Sequence, residues 1–178
     1  MYSPLSSLME FNAELLKATI SDLRRDFKLC VSESEAIGDE THCYGNFAEV
    51  VGFMHWHMLA PYGAAIYHGV REKYNDDVFN VENIKKYDLT EALAVFGKVL
   101  YTERYHGNLT YSLCEDGTMA ELLEQFYKEL VKFQSKPINK IKKVIADFRG
   151  FLRVKWARFV GKIRVKYFEK KANNAQKR

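Results

Sequence analysis

The chain has 178 residues, 47% of them apolar, with three prolines, ten glycines and a formal charge of +4. That length suits one domain with an appendage, and the apolar fraction is enough for a core, which excludes wholesale disorder and the collagen-like and low-complexity classes. The modest charge conceals a split: residues 1–135 hold 12 Lys+Arg against 21 Asp+Glu, or −9, and residues 136–178 hold 15 against 2, or +13.

In chain order, start and stop signals read as helix. Ser7-Leu8-Met9-Glu10 has the form of a capping box, with Ser3-Pro4 as an alternative start. Leu16, Ile20, Leu23, Phe27 and Cys30 then recur at spacings of four and three, as on one helical stripe. Residues 31–44 are polar and read as a loop. Asn46 can cap a mostly apolar helix reaching Leu59, ended or kinked by Pro61. A helix apolar all round belongs at the centre of a core. A second helix is predicted over 62–74.

Asn75-Asp76-Asp77 reads as a turn, and Asp88-Leu89-Thr90-Glu91 as a capping box ahead of the stripe Leu89, Leu93, Phe96 and Leu100. Gly107 stops that helix. Thr118-Met119-Ala120-Glu121 opens another, with Met119, Leu122, Phe126, Leu130 and Phe133 on one face. The predicted class is all-α: a compact bundle of five or six helices over 1–135, followed by a basic extension over 136–178.

That extension is repetitive. Residues 148–158 (FRGFLRVKWAR) and 159–169 (FVGKIRVKYFE) are identical at five of eleven positions, and Ile141 and Ile145 suggest a fainter earlier copy. Eleven residues make three helical turns, which lines up Ile141, Ile145, Phe148, Leu152, Trp156, Phe159, Ile163 and Tyr167. The predicted element is an amphipathic helix of roughly 45 Å. The alternation in Leu152–Trp156 and Ile163–Tyr167 also fits a β-hairpin with one basic face, the lesser alternative.

The candidate binding residues are Arg149, Arg153, Lys155, Trp156, Arg158, Lys162, Arg164, Lys166 and Tyr167. Such cations neutralise phosphates, and interleaved aromatic rings stack on unpaired bases, which favours nucleic acid or a nucleoprotein complex. A host protein groove or an anionic membrane surface is the alternative, by way of the apolar stripe. The stripe can also pack on the chain's own acidic body. Arg104 and His106, at a predicted helix C-terminus, suit its last carbonyls and form a secondary candidate site.

No reaction is legible. Cys30, Cys43 and Cys114 are odd in number and far apart, as in reduced cytoplasmic proteins, and the N-terminus lacks the pattern of a signal peptide. Residues 50–70 carry no formal charge, a spanning length. Three histidines, a proline and three glycines make a buried helical hairpin the preferred reading over a membrane span. His42-Cys43 and His55-Trp56-His57 lack zinc-site spacing, so no metal and no cofactor are expected. Acids flanking Cys114 work against a reactive thiolate. The protein reads as non-enzymatic, with an enzyme built on the histidine-rich centre as the remaining alternative.

The stretch from Asp88 to Leu130 resembles a small bacterial and phage family of unknown function. The likeness lies in the Asp-Leu helix start, apolar positions through Leu100, Glu103-Arg104-Tyr105, Gly107, Leu109, the Asp116-Gly117 turn and a final apolar helix. One residue is missing before Gly107 relative to that pattern. The resemblance implies a small helical prokaryotic or phage domain and no particular activity.

Overall fold

The structure, a computed structural model, describes residues 4–33, 41–103 and 108–136. All of them fall within a unit spanning Met1–Lys136, distinct from Pro137–Arg178. They form an all-α bundle. Five helices are of twelve residues or more: α2 (Ala13–Asp26), α3 (Gly45–Trp56), α4 (Leu59–Lys73), α6 (Leu89–Thr102) and α8 (Thr118–Ser135). Three are shorter: α1 (Pro4–Ser7), α5 (Val81–Ile84) and α7 (Leu109–Glu115). The repeat, and with it the choice between helix and hairpin, lies outside the described residues.

Helix α1 begins at Pro4, the alternative start. The Ser7 box does not form; Asn12 caps α2 instead, its Oδ1 accepting the N–H groups of Glu14 (3.1 Å) and Leu15 (3.3 Å). Leu16, Ile20 and Leu23 are buried as the stripe predicts. The α-helix stops at Asp26, whose side chain accepts the Lys28 N–H and opens a 3-10 turn over Phe27–Leu29. The polar loop contains one feature that sequence periodicity does not reveal. Strands β1 (Val31–Ser32) and β2 (His42–Cys43) pair antiparallel, Val31 opposite Cys43 and Ser32 opposite His42.

Pro61 does not break the apolar segment. It lies in the first turn of α4, where a missing N–H costs nothing, and the chain turns earlier, at His57-Met58. Nor is α3 the buried centre. Phe47, Val50 and Met54 face the core, whereas Gly52 and Trp56 face solvent. The centre is α6, where Ala92 through Gly97, Val99 and Leu100 are all buried. The predicted capping box starts it: Asp88 Oδ1 accepts the Glu91 N–H (2.8 Å), and Glu91 accepts the Asp88 N–H (3.0 Å).

Helices α4 and α6 are in backbone contact. A Cβ on Gly63 would lie 2.4 Å from the Leu93 carbonyl oxygen and 3.1 Å from Gly97 Cα. One on Gly97 would lie 2.8 Å from the Ala60 carbonyl oxygen and 2.9 Å from Gly63 Cα. Only a pair of glycines permits this approach. On the far side of α6 lies α8, with Met119, Leu122, Phe126 and Leu130 fully buried. Phe126 meets Phe11 edge-on at 5.7 Å, and Phe11 meets Phe53 at 4.6 Å. Gln134 Nε2 donates to the Leu8 (2.8 Å) and Phe11 (3.0 Å) carbonyls, pinning the end of α8 to the α1–α2 connection. The Thr118 capping box is not formed: Thr118 is already helical, Gly117 (φ +83°) precedes it, and Asp116 accepts its N–H at 2.8 Å.

Candidate interaction surface

The nine tail candidates and the pair Arg104 and His106 all lie outside the described residues. What the structure brings together is the body's own polar chemistry, most of which is engaged internally. Arg24 on α2 forms ion pairs with Glu121 (2.7 Å) and Glu124 on α8, and Lys128 also reaches Glu124 at 2.7 Å. The hydrogen bond to Glu121 is the chief cause that raises the Arg24 pKa. The bond from Lys128, with Arg24 adding to it, holds Glu124 below the usual carboxylate range. Arg24 and Glu121 border a surface pocket of about 450 Å³ between α2, α7 and α8, lined among others by Asp26, Phe27 and Asp116. Its two lining cations, Arg24 and Arg25, are already committed to carboxylates, so an anionic ligand would compete with existing pairs.

Cys114 borders the same pocket but is itself buried. Burial is the largest influence that raises its pKa, ahead of Cys43, Cys30 and Asp116. The sequence points to the flanking acids as the cause, whereas the structure puts desolvation first. Cys30 is likewise pushed up, chiefly by burial. Thiols held protonated in this way are poor nucleophiles.

One functional-looking residue escapes a sequence reading. Glu103, at the end of α6, is only 4% exposed. Its carboxylate accepts the N–H (3.2 Å) and hydroxyl of Thr41, and the N–H (2.7 Å) and hydroxyl (2.8 Å) of Thr110. It thus ties the start of β2 to the first turn of α7. The stripe Leu89, Leu93, Phe96, Leu100 continues at its own spacing to position 103, so the burial was legible; the residue type hid it.

The central histidines fall in a different setting. His57 stacks on Phe53 with ring centroids 4.0 Å apart, and His68 is paired with Glu72 at 3.1 Å on the surface. Among the described residues no three His, Cys, Asp or Glu side chains are grouped to hold a metal ion. Beside His57 the α3–α4 corner presents Trp56, 86% exposed, and Met58, 60% exposed. No described helix is long and apolar enough to cross a membrane; the uncharged run is divided between α3 and α4. Compared with protein-family models, curated proteins and solved structures, the chain matches none.

Proposed function

We propose that this is a non-enzymatic interaction protein, of bacterial or phage type, that binds nucleic acid or a nucleoprotein complex through residues 136–178. The observation that carries this reading is the segregation of charge, +13 in the last 43 residues beside a body of −9. Arg153, Lys155, Arg164 and Lys166 recur at matched places of the repeat and meet phosphates. Trp156 and Tyr167, at corresponding places, stack on exposed bases.

The body lends support from its own arginines. Arg24, Arg25 and Arg71 are each taken up by carboxylates: Glu121 and Glu124, Asp22, and Asp76. By sequence, 15 of the 27 Lys and Arg residues stand in residues 136–178. The test is a pull-down of full-length protein with and without nuclease, beside a full-length variant in which Arg153, Lys155, Arg164 and Lys166 are glutamine. Nucleic acid recovered with the native protein and lost from the variant supports the reading. Equal recovery by both, or a nuclease-resistant protein partner alone, overturns it.

A further inference from the structure

The α3–α4 corner, at His57-Met58, presents a surface of its own chemistry within the described residues. Trp56 is the most exposed large apolar side chain of the described residues, and Met58 beside it is also largely in water. Met58 has φ +58°, the left-handed region that ordinarily favours glycine or asparagine. An apolar side chain is thus held outward at a position where a small polar residue would be easier on both backbone and solvent. Strain of this kind concentrates at sites of function.

The surroundings suit removal from water. No Asp, Glu, Lys or Arg occurs in residues 50–70, so the second half of α3 and the first turns of α4 can be desolvated without burying a formal charge. The outward face of α4 carries Ala65 and Gly69, with the exposed His68–Glu72 pair further along. A Cβ on Gly52 of α3 or Gly69 of α4 would meet nothing within 4 Å, so both positions face open space. Trp56 and Met58 stand out into water at a two-residue corner between helix ends. A protein would need a groove to receive it, whereas the headgroup boundary of a bilayer accepts such a tip, and tryptophan is favoured at that boundary. One shallow apolar contact holds a protein only marginally, and firm attachment takes a second signal. The +13 of residues 136–178 supplies it as attraction for anionic headgroups.

We propose that the α3–α4 corner, with Trp56 and Met58 at its tip, enters the interfacial layer of an anionic lipid bilayer. The test uses full-length Trp156→Phe protein, which leaves Trp56 as the one tryptophan. Vesicles of phosphatidylcholine with phosphatidylserine should shift Trp56 emission to the blue, and acyl-brominated lipid should quench it. In co-sedimentation, full-length Trp56→Ser/Met58→Ser protein should partition about tenfold less strongly, its circular dichroism unchanged because both side chains lie outside the core. The proposal fails if Trp56 emission is unmoved at saturating vesicles, or if the double variant binds them equally. It also fails if the blue shift grows with protein concentration when lipid is absent, the mark of self-association. No nucleic acid enters this test, so its failure leaves the nucleic-acid reading untouched.

Discussion

Replacing Gly63 with alanine should destabilise the protein, although alanine is the better helix former. The added methyl would sit 2.4 Å from the Leu93 carbonyl oxygen, and ordinary contact begins at 3.4 Å, so α4 and α6 must part by about 1 Å. The obstacle is backbone in a helix that is buried along most of its length, so no side chain can rotate out of the way. Overpacking of this kind costs about 1–3 kcal/mol or more, and the helix-propensity gain returns about 1 kcal/mol. The obstacle being backbone puts the net loss at the upper end of that difference, up to about 2 kcal/mol, or up to about 6 °C in Tm for a chain of this size. Gly69→Ala in the same helix and Gly52→Ala in α3 are the controls. Both face open space, so each should gain about 0.5–1 kcal/mol. Urea titration followed by far-UV circular dichroism measures all three. If Gly63→Ala is as stable as Gly69→Ala, the close approach of α4 and α6 is wrong.

Three further outcomes follow from the body. Glu103→Gln should cost about 3 kcal/mol, because an amide offers one acceptor oxygen and turns a donor toward the threonine groups; a change under about 0.5 kcal/mol in urea titration would mean they have other partners. Asp88→Ala removes a cap from the central helix and should cost about 1 kcal/mol by the same measurement. Glu124, held below its ordinary value of 4.5, stabilises the fold above the unfolded-state value, and that contribution is lost as pH falls through the lower folded-state value. The stability gap between native protein and Glu124→Gln should therefore be under about 1 kcal/mol near neutrality and close below pH 4.5, read from urea titrations across acid pH. A gap independent of pH would remove the ion pair from the account.

The class of fold was legible because the long helices carry their burial in their spacing. Leu16, Ile20 and Leu23 on α2, and Met119, Leu122, Phe126 and Leu130 on α8, are buried as their periodicity requires. Cap patterns were less informative. Asp88 caps, but Ser7 and Thr118 do not, because Asn12 and the Asp116-Gly117 turn present the chain to the next helix in a better geometry. The two-residue β1–β2 ladder is too short to leave an alternation. Composition misled at α3, since an apolar sequence alone does not tell a core helix from one that exposes Trp56. The Gly63–Gly97 contact needed both helices at once: each glycine alone reads as a weak point in its own helix. The tail candidates, Arg149 through Tyr167, and Arg104 and His106 fall outside the described residues, so the basic segment rests on its sequence pattern.

The measurement that tests the central claim most directly is the salt dependence of duplex DNA binding by the full-length protein. Each phosphate contact contributes a slope of about −0.9 in log K against log salt concentration. Full-length protein with Arg153, Lys155, Arg164 and Lys166 changed to glutamine should bind more weakly, with a slope shallower by about 3 to 4. An unchanged slope would place the phosphate contacts elsewhere, and native binding without salt dependence would contradict the claim that the cationic repeat is the nucleic-acid surface.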